Sequence, residues 1–289
     1  MNKNNPNLFV IGASKCGTTS LWHMLNSHTN VFMSKPKEPW FFSFSDYKKK
    51  MEWYHGLFKD VKDEKIIGEA SPIYSETTLI PEIPKRLYDY NPNAKIIYIV
   101  REPISRLKSV WQQTLSSGHW YKQKYKDYTD VEVPKMSRKF TNAVFSYPAF
   151  LEATKYWTHL NNYRNYFDDK NILLLFFEDL RDKPEIVYEQ LCNFLEIEPK
   201  QSKNLFEKQN ASEGKTKEFA LVVKLRNNKT IYNVFNRLKK YGLKISFPKK
   251  SMNSKVKINK EQKEKISNLL EIEIEKTLKY GKKSLGFWK

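Results

Sequence analysis

Cysteine is nearly absent. Only Cys16 and Cys192 occur in 289 residues, far apart in the chain, so no disulfide framework is expected to hold the fold together. Histidine is scarce too, and none of the five sits in a Cys, His or Asp cluster at metal-ligand spacing, so no metal is expected. No apolar run approaches the roughly 18 residues that a membrane span needs; the run Leu8–Ile11 is far shorter. The start, Met1–Asn7, is polar and lacks a secretory h-region, and the expected location is cytoplasmic, with peripheral membrane contact left open. Internal repeats are lacking.

Acidic side chains are missing unevenly. Residues 1–199 hold 27 basic and 24 acidic side chains, a net of +3, whereas residues 200–289 hold 24 and 8, a net of +16 within the chain's +19. Such an excess suits an anionic partner: phosphate, sulfate, nucleic acid, acidic glycan or membrane surface. A general lysine bias is the plain alternative. Apolar residues, in contrast, are plentiful, at 40% hydrophobic and 15% aromatic, enough for a core and too many for global disorder. The length fits a single domain spanning 1–289, with a core over about 8–199 and the basic third 200–289 completing a cleft.

Short apolar runs alternate with helical patterns. Leu8–Ile11, the residues 65–67 and Lys95–Val100 read as buried strands, as does Asn171–Phe177. Helices are expected after Gly17, from Pro103 to about Gln113, over 147–167, from Pro184 to Leu195 and over 261–280. The pattern predicts an α/β fold: a central parallel sheet flanked by helices, with ligands beyond the carboxyl ends of the strands.

Three strand exits carry polar groups. After the first come Gly12-Ala13-Ser14-Lys15-Cys16-Gly17-Thr18-Thr19-Ser20. Two glycines between strand and helix, with a lysine and three hydroxyls, form a P-loop-like phosphate cradle, in which backbone N–H groups and a helix start face an anion. It is not a Walker A loop, because the lysine lies inside the loop rather than after the second glycine. An ordinary strand-to-helix turn is the other reading. After 65–67 comes Glu69, a general base if an acceptor hydroxyl or amine comes within reach, or else a solvated loop carboxylate. After Val100 comes Arg101, whose planar fork suits phosphate, with Ser109 two helical turns on. A salt bridge to Glu102 or another carboxylate is the alternative for Arg101. Arg106 and Lys108 read as helix-surface charges.

Together these segments resemble the sulfotransferases that use 3′-phosphoadenosine 5′-phosphosulfate (PAPS), in particular the heparan-sulfate-type and bacterial carbohydrate branch. Lys15-Cys16-Gly17-Thr18-Thr19-Ser20 resembles the family's 5′-phosphosulfate loop, and Arg101, Pro103, Arg106 and Ser109 its 3′-phosphate motif. Lys37, Glu38, Phe41 and Phe42 match its Lys-Glu-x-x-Phe-Phe segment, and Glu69, Ser71, Pro72 and Tyr74 its catalytic glutamate region. Phe176–Leu180 with Pro184, Asn210-Ala211-Ser212, and Tyr280-Gly281 through Leu285 to Trp288 resemble later family features. Two features depart: Ala70 stands where the heparan branch has lysine, and the animal enzymes' late pair of cysteines is missing.

The resemblance implies sulfuryl transfer from PAPS to a hydroxyl or amine, leaving adenosine 3′,5′-bisphosphate (PAP), without a metal. It implies Glu69 as base and Lys15 on the leaving phosphate. Cys16, Gly17, Thr18, Thr19 and Ser20 would surround the 5′-phosphate, and Arg101 and Ser109 the 3′-phosphate. Lys215 or Lys217 would be the late donor-binding cation, and Lys37 and Glu38 would face substrate. The implied acceptor is a carbohydrate, and the Lys-rich stretch 200–260 is a candidate basic wall for an acidic glycan or an anionic membrane face. Small alcohols, lipids and phenols are the alternative acceptors. A P-loop kinase or NTPase is the rival enzyme, disfavoured by the lysine's place. A nucleic-acid binder is the rival from another class, disfavoured because no recognised module appears.

Overall fold

The computed structural model describes residues 4–117, 137, 139–146, 148–199, 256 and 258–288, together with the backbone of two short strands at 216–218 and 249–251. Five strands, β1 (Leu8–Gly12), β2 (Val31–Met33), β3 (Ile66–Ala70), β4 (Lys95–Val100) and β5 (Ile172–Phe176), form one sheet in the order β2-β3-β1-β4-β5. Every pairing is parallel. β1 is completely buried and β4 is buried from Ile96 to Val100, as their unbroken apolar sequences require in a sheet covered on both faces. The short strands β6 (Thr216–Glu218) and β7 (Lys249–Ser251) pair antiparallel as a separate ribbon.

Helices α1 (Thr18–Asn26), α2 (Met51–Gly56), α3 (Ile83–Tyr90) and α4 (Pro103–Ser117) fill the early crossovers. β1 feeds a connection running toward β2, and β4 feeds one running toward β5. Right-handed crossovers therefore place α1 on one face and α3 and α4 on the other. α1 packs against helix Pro184–Leu195 through Met24, Leu25, Leu191 and Leu195. On the far side, Tyr163 of helix Tyr156–Arg164 donates to the Tyr74 carbonyl at 2.9 Å. A second, smaller core lies against α4, where Leu107, Val110 and Trp111 meet Phe140, Val144, Phe150, Ile266 and Leu270.

The expected α/β architecture is present, with four differences in detail. β2 escapes a pattern reading because it is a three-residue edge strand. β3 runs on through Gly68 and Glu69 to Ala70, so Glu69 belongs to the strand and not to the loop after it. The helix expected over 147–167 is two, Pro148–Glu152 and Tyr156–Arg164, broken where the Thr154 hydroxyl bonds back to the Phe150 carbonyl at 2.7 Å and takes a hydrogen bond from Arg106. The helix expected over 261–280 is likewise two, Lys260–Leu269 and Glu271–Tyr280, which meet at Leu270, buried in the second core.

Candidate active site

The opposite directions of the connections leaving β1 and β4 open a crevice between their carboxyl ends, where ligands sit in such sheets. Two glycines shape the loop on the β1 side. Gly12 and Gly17 have φ of 149° and 93°, and a Cβ on Gly12 would run into the Ser75 side chain, one on Gly17 into the Phe177 ring. Lys15 is also left-handed, with φ 70°, so the loop turns sharply at the lysine. The Cys16 thiol points inward, fully buried near the Tyr156 hydroxyl at 3.9 Å, and burial pushes it up to about 11. The Cys16 N–H donates to the Ala13 carbonyl at 3.2 Å, so neither its thiol nor its amide faces the crevice.

α1 then starts bare. No side chain caps it, its first turn holds no acidic residue, and the N–H groups of Thr18, Thr19 and Ser20 have no partner among the described residues. Lys37 comes down over this start, its Nζ 3.5 Å from Thr18 Oγ1 and 2.9 Å from Glu38 Oε1. The other Glu38 oxygen accepts the Trp40 indole N–H at 3.2 Å. Lys15 Nζ reaches Gln113 Oε1 on α4 at 3.4 Å. Two ammonium groups thus flank an open helix start.

The β4 exit is built differently. Arg101 donates to the Lys15 carbonyl at 3.4 Å and lies over the Phe177 ring at 4.4 Å. Among the described residues no carboxylate pairs with it, and the expected alternative of a bridge to Glu102 is absent because that carboxylate is engaged elsewhere. Glu102 Oε1 and Oε2 accept the backbone N–H groups of Ile104 at 2.8 Å and Ser105 at 2.6 Å, capping α4. Arg106 is not a surface charge. It is 1% exposed, donating to the Ser14 carbonyl at 3.1 Å and to Thr154 Oγ1 at 2.7 Å, and so ties α4 to the loop. Ser109 lies three residues after Arg106 and four before Gln113, on the helix face that meets the loop. Lys108 is half-buried.

β3 ends at Ala70, level with Val10, and the turn Pro72–Ser75 that follows it packs against Gly12 at the base of the loop. Glu69, one residue before the end of β3, is fully buried. Oε1 accepts the hydroxyls of Tyr54 at 2.8 Å and Tyr74 at 2.9 Å, and Oε2 that of Ser71 at 2.6 Å. Burial pushes this carboxyl up to about 7, against the opposing pull of the three hydroxyls. The aromatic cluster around it includes Phe42 and Tyr54, with Phe41 stacked on Tyr54 at 4.0 Å. The solvated alternative for Glu69 is therefore excluded.

The sulfotransferase domain model matches residues 5–281. The chain belongs to this sulfotransferase family. Mouse heparan sulfate glucosamine 3-O-sulfotransferase 5 is 29% identical over 202 residues, covering 70% of this chain and 56% of that protein. The membrane-associated sulfotransferase kil1 of Dictyostelium discoideum is 35% identical over 121 residues, 41% of this chain and 24% of the relative. The domain thus spans about half or less of these relatives' length. A sulfotransferase of Alicyclobacillus acidocaldarius shares the fold, with a TM-score of 0.63 at 19% identity and 98% of both chains covered.

The donor set of this sulfotransferase domain fits a ligand with two anionic ends. A bare helix start with Lys15 and Lys37 faces one, and an unneutralised guanidinium with a serine on the adjoining helix faces the other. Lys215, like Asn210 and Ser212, lies outside the described residues. Lys217 lies on β6, which packs against α4. Sequence reasoning missed two contributors. The first is Tyr54, whose hydroxyl joins those of Ser71 and Tyr74 on Glu69, because it comes from a separate helix. The second is the Glu102 cap, whose signal, an acidic residue directly before Pro103, was there to be read.

No helix among the described residues is long and apolar enough to cross a membrane.

Proposed function

We propose that this domain transfers a sulfuryl group from PAPS to a hydroxyl or amine of a carbohydrate. The bare N-terminus of α1, flanked by Lys15 and Lys37, carries the reading. In this reading the N–H groups and hydroxyls of Thr18, Thr19 and Ser20 hold the 5′-phosphate. Lys15 stabilises the charge that develops on the leaving phosphate oxygen, and fixed charges of this kind are usually the largest single contribution to such a reaction. Arg101 and Ser109 hold the 3′-phosphate, and Lys217 or Lys215 adds the late cation.

The acceptor oxygen or nitrogen attacks sulfur in line, the bond from sulfur to the bridging phosphate oxygen breaks, and PAP leaves. Glu69 takes the acceptor's proton. Its raised affinity for protons matches that task near neutral pH. The Ser71 hydroxyl donates to Glu69 Oε2, and in this reading an acceptor hydroxyl takes its place there. Lys37 and Glu38 face the substrates beside the start of α1. The chain acts as one domain, with the basic third 200–289 lining the acceptor side.

The carbohydrate acceptor is supported by the heparan sulfate sulfotransferases among the relatives. Incubation with PAPS and panels of glycans, alcohols, phenols and lipids, read by mass spectrometry, should show sulfate added to glycans. Sulfation confined to the small acceptors would move the reading to its alternative. If acceptor affinity does not change between low and physiological salt, the acceptor does not lie against the basic third.

A further inference from the structure

Glu178, on the short helix that follows β5, joins the C-terminal segment to the β4 exit. Its Oε1 accepts the backbone N–H of Glu102 at 2.9 Å, and its Oε2 accepts the indole N–H of Trp288 at 3.1 Å. Trp288 packs on the rings of Phe176 and Tyr156, with centroids 5.6 and 6.0 Å away. Tyr156 in turn donates its hydroxyl to the Arg101 carbonyl at 2.8 Å. The Arg101 carbonyl and the Glu102 N–H belong to one peptide unit, and both of its polar atoms are held. The Lys283–Asp179 ion pair, at 2.7 Å, fixes the same segment one residue along.

The consequence falls on Arg101. Its guanidinium rests on Phe177, the residue before Glu178, yet the Glu178 carboxylate is engaged by two N–H donors instead. Without the indole N–H, Oε2 would lose that donor, and a carboxylate released one residue from Phe177, on which the guanidinium rests, is free to compete with a phosphate for the same fork. We propose that Glu178 and Trp288 are positioning residues for the 3′-phosphate: they fix the Arg101 backbone and keep a carboxylate off its side chain. The inference rests on the PAPS reading above.

Calorimetric titration of the full chain with PAP and with adenosine 5′-phosphate, which lacks the 3′-phosphate, tests it. Trp288→Phe keeps a ring and removes the N–H; Glu178→Gln keeps an acceptor and removes the charge. Each should weaken PAP by about tenfold, the scale of one hydrogen bond to a charged group, and leave adenosine 5′-phosphate unchanged. Trp288→Phe added to Arg101→Ala should cost nothing beyond Arg101→Ala alone. If both variants weaken the two nucleotides equally, or neither weakens PAP while Arg101→Ala does, the inference is overturned and the PAPS reading stands. Failure of the unsubstituted chain to bind PAP would instead remove the PAPS reading itself.

Discussion

β1 and β4 end side by side, and a helix follows each, yet the two helices meet the crevice in opposite ways. α1 begins with a left-handed Gly17, no side-chain cap and no acidic residue in its first turn. α4 begins under Glu102, whose two carboxylate oxygens occupy the N–H groups of Ile104 and Ser105. Both starts carry the same partial positive charge. One presents it outward, and the other neutralises it internally. On the reading proposed above, anion binding at the two exits rests on different chemistry: backbone and helix dipole at β1, a single guanidinium and a helix-face hydroxyl at β4. On that reading Arg101 is the charged group at the β4 exit, with only the Ser109 hydroxyl beside it, so the hold on its backbone matters.

The comparison breaks most completely if α1 is made like α4. Thr19→Glu puts a carboxylate in the bare first turn. Folded stability should rise by about 0.5 kcal/mol, as for other acidic residues at helix starts. PAP affinity should fall more than about a hundredfold, because juxtaposed like charges cost several kcal/mol. Thermal melts with and without PAP read both changes at once, and undiminished stabilisation by PAP would show that no phosphate sits on α1.

Glu69→Gln comes next. Turnover should drop by roughly a hundredfold or more, the range for loss of a general base, with PAP affinity retained. Near-normal turnover would remove Glu69 from the chemistry. The pH dependence carries the sign. Because the folded carboxyl holds its proton up to about 7, the rate should climb as pH rises through that value. The same elevation makes the folded chain the better proton binder, so stability should fall as pH rises from about 4.5, the ordinary carboxyl value, toward 7. The Gln variant should lose that slope, and a denaturation series across this range measures it.

Much of this arrangement was legible in the sequence where one element carries its own signal. The buried strands announce themselves by unbroken apolar runs, and the loop by Gly12, Lys15 and Gly17 in a chain poor in glycine. What escaped depends on pairings across the fold. Arg106 reads as a surface charge because a helical pattern reports spacing and not what lies beneath. Its burial follows from the Ser14 carbonyl and Thr154, one before it and one long after. Glu69 reads as lying at the exit of a strand over 65–67, with a solvated loop carboxylate as the alternative; β3 continues to Ala70, with Gly68 packed closely between Met33 and Leu8. Of the three hydroxyls on Glu69, those of Ser71 and Tyr74 lie in the segment grouped with it from the sequence, whereas Tyr54 comes from α2, and no local spacing foretells its arrival.

At the β4 exit the effects should be smaller and separable. Arg101→Ala should weaken PAP by about ten- to a hundredfold, the span for losing hydrogen bonds to a charged group, and leave adenosine 5′-phosphate almost untouched. Equal losses for both nucleotides would place the 3′-phosphate elsewhere. Glu102→Ala should act in the other direction on the comparison, turning α4 into a bare start like α1. Losing the cap should lower stability by about 1 kcal/mol in chemical denaturation. It also removes a negative charge beside Arg101 and exposes the N–H groups of Ile104 and Ser105, so PAP affinity should hold or rise slightly while stability falls. If stability and PAP affinity fall together, Glu102 supports the site through the fold of the exit, and the division between a backbone-bound and a side-chain-bound phosphate is less sharp than the two helix starts suggest.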